Sequence, residues 1–111
     1  MTLPNHTEAV IDLAKLRDYV LNSGHPRGKH KAKVFARVLG FDSDAAEELK
    51  REILAHIGRA ECVPGAVDEF GRRFHVDLPV TGRFGSAIVR TGWILLNGES
   101  GPRLTTCFVK G

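Results

Sequence analysis

Two cysteines, Cys62 and Cys107, are all that this chain of 111 residues carries, too few for the disulfide framework of a small secreted scaffold. Neither lies in a Cys-x-x-Cys pair, so the usual spacing of a thiol-redox centre or a structural zinc site is missing. Two buried free thiols are expected, with pairing across neighbouring strands as the alternative. Long apolar runs are missing too. No stretch approaches the roughly 18 residues of a membrane span. The opening Met1-Thr2-Leu3-Pro4-Asn5-His6 has no basic segment ahead of an apolar one, so no membrane association and a cytoplasmic location are expected. Nucleophile-elbow, Walker and dinucleotide glycine patterns are absent. A hydrophobic fraction of 42% and a charged fraction of 26% are ordinary for a globular chain and argue against disorder. The length suits one domain over residues 1–111, with 1–8 flexible.

Acidic residues are missing from one long stretch. Between Tyr19 and Phe41 there is none, while Arg27, Lys29, Lys31, Lys33 and Arg37 supply five positive charges. Removing those five from the sixteen Lys and Arg leaves eleven against thirteen Asp and Glu. The net charge of +3 is therefore a basic patch on a slightly acidic body. Such a patch attracts a polyanion, and counterion release favours a phosphate backbone. A solvated, lysine-rich helix face is the alternative.

Three helices are expected first. From Ala9 to Leu21, Val10, Leu13, Leu16, Val20 and Leu21 recur at helical steps, and Asn22-Ser23-Gly24 ends the run. A second helix from Lys29 to Leu39 buries Ala32, Phe35, Val38 and Leu39, with Gly40 as its stop. Asp42 or Ser43 caps a third, striped by Ala46, Leu49, Ile53 and Ile57. The period then changes. Phe74, Val76 and Leu78 alternate with Arg73, His75 and Asp77 in a strand that ends at Pro79. Ser86 to Leu96 forms a longer strand with Gly92 as a bulge or close-approach point. Residues 97–102 form a hairpin loop, Arg103 to Val109 returns as a strand, and a short strand covers Ala60 to Val63. Helices followed by a meander imply an α+β fold, with about three helices packed on one face of an antiparallel sheet of three to four strands.

Reactive types concentrate in Gly24-His25-Pro26-Arg27-Gly28-Lys29-His30-Lys31. Helix N-termini favour phosphate, and lysines there add charge. A histidine titrates near neutrality and can take or give a proton. On the second helix His30, Lys33 and Arg37 share one face. A histidine among cations suits metal-free RNA cleavage, in which one group deprotonates the ribose 2′-OH, cations stabilise the phosphorane, and another group protonates the leaving 5′-oxygen. A histidine that caps the helix or is merely solvated is the alternative. No metal site or cofactor is expected, because His25 and His30 have no carboxylate nearby and His56 and His75 no companions at ligand spacing. A second cluster is Arg90-Thr91-Gly92-Trp93 with Pro102-Arg103-Leu104-Thr105-Thr106. Thr91 and Trp93 point to one side of a regular strand and Arg90 to the other. Trp93 either stacks on a base or packs in the core. Thr105 and Thr106 take opposite faces, so one of them faces a cleft.

The sequence Gly-His-Pro-x-Gly-Lys-His-Lys-Ala-x-x-Phe, followed by Arg-Thr-Gly-Trp-Ile and Pro-Arg-Leu-Thr-Thr, resembles a family of small bacterial domains of unknown function. These occur alone or at the C-terminus of polymorphic toxins. The resemblance spans residues 9–109. The helix-then-sheet order also resembles the barnase–EndoU–colicin–RelE superfamily of metal-independent ribonuclease toxins. Within it, colicin D is similar in carrying a Lys/His cluster by a helix and a hydroxyl-x-Trp on a strand. The resemblance implies a proton-transfer role for His30, with Lys29 and Lys31 on the scissile phosphate. It implies that Thr91 bonds a phosphate oxygen or positions His30, and that Trp93 holds a base or shapes the site. Threonine stands here for serine, and the order of lysine and histidine differs.

The expectation is a ribonuclease toxin that leaves a 2′,3′-cyclic phosphate and a 5′-hydroxyl. Its catalytic set is His30, Lys31, Thr91 and Thr106. His25, Arg27, Lys29, Lys33, Arg90, Trp93 and Arg103 hold RNA, tRNA being one candidate. A small acidic antitoxin or immunity protein covers the basic cleft. The alternative is a non-catalytic module that binds nucleic acid or protein, including the antidote half of such a pair.

Overall fold

Helical periods before period-two alternation become helices before strands. The computed structural model describes residues 1–111. Helices α1 (Leu13–Lys15), α2 (Lys29–Leu39) and α3 (Ala46–His56) precede strands β1 (Cys62–Val67), β2 (Gly71–Thr81), β3 (Ser86–Leu96) and β4 (Arg103–Val109). Each strand pairs antiparallel with its sequence neighbour, giving a four-stranded meander in the order β1-β2-β3-β4. The fold is α+β, as the change of period implies.

Alternation decides which sheet face is covered. Phe74, Val76, Leu78 and Val80 of β2 sit beside Trp93, Thr91, Val89 and Ala87 of β3 in register. Against this surface pack Ala32, Phe35 and Leu39 of α2 and Ala46, Leu49 and Ile53 of α3, the buried stripes of the two helices. The opposite face carries Arg73, His75, Asp77, Ile88, Arg90, Thr106 and Phe108.

Three details depart from the sequence reading. The first helix starts later than Ala9. Asp12 caps it by accepting from the Ala14 amide at 3.0 Å, and after Lys15 it widens into a π turn over Leu16–Val20. Ahead of it Val10 is extended and bridges β4, donating to Pro102 O at 2.8 Å and accepting from the Leu104 amide at 3.0 Å. Sheet-edge pairing there overrides the helical period.

Two contacts are made at the start of the chain. Leu3 is 1% exposed, and the terminal ammonium lies 2.9 Å from Glu61 Oε1.

Pro79 lies inside β2, opposite Ile88. β1 covers β2 only as far as Val76, so the missing proline N–H faces no strand.

The first strand runs on to Val67 rather than stopping at Val63. Cys62, Val76, Thr91 and Cys107 form one row across the four strands. Three strand spacings, about 14 Å, therefore separate the two thiols. Both are buried and free, and burial pushes the Cys107 thiol up to about 12.

Gly92 is the close-approach point. A Cβ there would meet Thr106 Cγ2 at 2.5 Å. The extra residue belongs to β4, where Gly92 opposes Thr106 and Trp93 opposes Leu104, leaving Thr105 as the bulge.

Candidate nucleic-acid interface

The segment that opens α2 is built by its own side chains. His25 turns its Nδ1 onto the amides of Arg27 and Gly28, both at 3.1 Å, and its carbonyl accepts from the Lys29 amide at 3.0 Å. The His25 ring meets Tyr19 edge-on at 4.4 Å between centroids. A Cβ on Gly28 would come within 2.9 Å of Tyr19 O, so only glycine lets α2 start this close to the first helix. His25 is thus a cap that organises the loop. With Nδ1 accepting from backbone, the other ring nitrogen, Nε2, is left as the donor.

With Ala32, Phe35 and Leu39 turned to the core, helical geometry places His30, Lys33 and Arg37 on the far side of α2. All three are exposed. None of Arg27, Lys29, Lys31, Lys33 and Arg37 forms an ion pair. Of the eleven other cations six do, Arg17, Arg73, Arg83, Arg90, Arg103 and Lys110, and five, Lys15, Lys50, Arg51, Arg59 and Arg72, do not. What sets the segment apart is five unpaired cations in an acid-free run. Lys31 leans toward the sheet, its Nζ 4.5 Å from the centre of the Phe108 ring, a cation–π contact.

The strand cluster goes elsewhere. Thr91 is 0% exposed and Trp93 1%. Thr91 Oγ1 donates to Val76 O at 2.8 Å and accepts from Trp93 Nε1 at 2.8 Å. Every polar atom of the pair is satisfied within the core, on the sheet face that the helices cover. They are therefore the polar core of the domain. They do not line a cleft with His30, and the geometry implied for a phosphate-binding Thr91 and a base-holding Trp93 is absent.

Arg90 and Arg103 are committed as well. Arg90 grips Asp77 through two bonds of 2.8 and 3.0 Å, and Lys110 adds a third at 3.1 Å. The Arg90 hydrogen bonds hold the Asp77 carboxyl down to about 2, against the opposing pull of burial and with Lys110 helping. Arg103 makes a similar fork with Glu99, at 3.0 and 2.7 Å, which lowers that carboxyl too.

One recess borders the basic segment. Asp12, Lys15, Tyr19, Thr105 and Thr106 line a groove of about 550 Å³ between the first helix and the bulge of β4. It contains both Thr105 and Thr106, of which only one was expected to face a cleft. The bulge brings both to one opening that strict alternation would have divided. Lys15 and Tyr19 were legible only as an i, i+4 pair flanking the apolar stripe, with Tyr19 the one tyrosine of the chain. No three His, Cys, Asp or Glu side chains stand close enough together to hold a metal ion.

The model of one family, described as a domain of unknown function, DUF6883, matches residues 2–111. The chain belongs to this family. No curated protein and no solved structure matches it. The match runs across both halves of the fold, so in this DUF6883 domain the basic helix, the groove and the Thr91–Trp93 core are parts of one family unit. No helix of it is long and apolar enough to cross a membrane.

Proposed function

We propose that this DUF6883 domain binds RNA through the phosphate backbone along α2 and the loop that opens it. The observation that carries the reading is the set of five cations, Arg27, Lys29, Lys31, Lys33 and Arg37, none of which has a carboxylate partner. A phosphate docking there displaces small counterions rather than a built-in carboxylate, so the entropy of ion release is not offset by a broken ion pair. The motif resemblance to polymorphic-toxin domains supports RNA as the polyanion. It also supports a small acidic antitoxin or immunity protein that competes for the same cations. The test is titration of labelled RNA against the protein at several salt concentrations. Affinity should fall steeply with salt, and a flat response defeats the reading.

A second reading is favoured by the groove: RNA held on α2 is cut without metal beside Lys15, Tyr19 and Thr106. The Asp12 carboxylate on the groove wall would take the proton of the 2′-hydroxyl as its oxygen attacks phosphorus, and the 5′-oxygen would leave with a proton delivered from the groove, giving a cyclic phosphate. The Lys15 ammonium and the hydroxyls of Tyr19 and Thr106 are the groups at hand for charge stabilisation and proton delivery. In the titration, end-labelled RNA incubated with EDTA separates the two. New 5′-hydroxyl ends mean cleavage, and intact RNA in a salt-sensitive complex means binding alone.

A further inference from the structure

Two hairpin tips of the sheet each expose a phenylalanine, and they differ in their neighbours. Phe70 stands beside Asp68 and Glu69. Phe84, 72% exposed, stands at the end of the basic helix. The tip that bears it is pinned down. The Arg83 amide donates to Leu39 O at 2.7 Å, the Gly82 amide to Gly85 O at 2.8 Å, and the Arg83 guanidinium reaches Glu48 at 3.0 Å. The ring itself lies 3.3 Å from where a Cβ on Gly40 would be. Residues 29, 33, 37 and 40 follow one another along a single side of α2 at four-, four- and three-residue steps. The row Lys29, Lys33, Arg37 thus runs straight onto the Phe84 ring.

An apolar ring held on an anchored turn and left in water contributes little to folding. At the end of a row of unpaired cations it is suited to a ligand with negative charge and a flat apolar face alternating along its length. Single-stranded nucleic acid has that chemistry, whereas a duplex keeps its base faces stacked inside. We propose that Phe84 is the stacking platform for an unpaired base of single-stranded RNA whose phosphates follow Lys29, Lys33 and Arg37. The inference rests on the reading of α2 as a phosphate-binding surface, and adds that the bound strand is unpaired.

The test compares three probes on the full chain: an unstructured oligouridine, an RNA duplex, and inorganic polyphosphate, which has charge but no bases. Phe84→Ala should weaken oligouridine binding about tenfold, the order of one base–aromatic stack. Polyphosphate and duplex binding should not change. Phe70→Ala should leave all three as they are. Phe84→Trp should retain oligouridine affinity and show fluorescence quenching on binding, since the native Trp93 is buried. Equal binding of oligouridine by wild type and Phe84→Ala overturns the stacking proposal while leaving phosphate binding on α2 intact. Failure of all three probes to bind wild type overturns the underlying reading as well. Both exposed-ring variants should keep the wild-type melting temperature, and a loss of fold in Phe84→Ala would assign the ring a structural role and so also refute the proposal.

Discussion

Arg90 and Arg103 in the sheet and Lys29, Lys33 and Arg37 on α2 are all cations on one small surface, and they differ in company. Each sheet arginine is forked onto a carboxylate of its own neighbourhood, Asp77 or Glu99. The α2 cations lie in a stretch without acids, and no other element supplies one. Pairing satisfies the guanidinium donors internally and lowers the local field, so a phosphate gains little by approaching. Unpaired cations leave both field and donors available. The presence of basic residues is therefore a weaker guide to a binding surface than the absence of acids within reach of them.

The two sequence clusters that looked reactive divide in a similar way. Arg90-Thr91-Gly92-Trp93 is a structural motif: one face is an ion pair, the other a closed hydrogen-bonded chain from Trp93 through Thr91 to Val76 O. The largest expected effect sharpens this. Trp93→Ala should cost about 3–5 kcal/mol of stability and Thr91→Val about 1–3 kcal/mol, because it strands the indole N–H and the carbonyl of Val76. Urea unfolding measures both. RNA affinity per folded molecule should stay at the wild-type value, and a selective loss of affinity in folded Thr91→Val would erase the division between core and surface.

Next in size is the reverse experiment on α2. Replacing Lys29, Lys33 and Arg37 together with glutamine should reduce the slope of log affinity against log salt by about 2, taking roughly 0.7 per single-strand phosphate contact. Stability should change by no more than about 0.5 kcal/mol, since these side chains are exposed and form no hydrogen bond or ion pair. Arg103→Gln, which removes a paired cation, should leave the slope as it is. A matching drop in slope for Arg103→Gln would show that pairing does not decide which cations act.

Most of the fold was legible because its signals are local. The bounds of α2, β3 and β4 follow from a glycine stop and a hairpin loop. The first helix was overdrawn because Val10 is claimed by the edge of β4, a partner ninety residues away that no helical period can announce. The site was less legible for the same kind of reason. Period two correctly places Thr91 and Trp93 on one side of a strand, but which side the helices cover is a tertiary fact. The bulge at Thr105 then puts two threonines on one groove that alternation separates. Pairing of Arg90 with Asp77 was within reach of the sequence once β2 and β3 were seen as a hairpin, since the register of residues 77 and 90 follows from its turn. What α2 would show to solvent was readable outright, because an acid-free stretch cannot pair within itself.

A smaller effect turns a paired cation into an unpaired one. Asp77→Asn should cost about 1 kcal/mol near neutral pH, read from urea unfolding. The sign follows from a folded-state carboxyl held below its usual range, to about 2. Its stabilisation is present above the ordinary aspartate range and is lost as pH falls toward 2, so wild type and variant should converge there. The same change releases Arg90 and Lys110 near Lys31, and should steepen the salt dependence of RNA binding slightly. An unchanged stability difference across that pH range would mean that the ion pair is not its source.

The smallest expected effect falls on the residue the sequence made most prominent. His30 points away from the sheet on the exposed side of α2, opposite Ala32 and Phe35, and does not line the groove of Lys15, Tyr19 and Thr106. A general base must reach the proton it removes while a second group reaches the leaving oxygen, and the open side of a helix holds no substrate between two such groups. His30→Ala should therefore change stability by less than about 0.5 kcal/mol and leave RNA affinity within about threefold of wild type. Expressed in bacteria, the variant should have the same consequence for growth and RNA integrity as the wild type. Loss of growth arrest and RNA fragmentation on this one substitution, in a protein that stays folded, would return the chemistry to the imidazole. It would mean that RNA binding itself brings a second group up to α2.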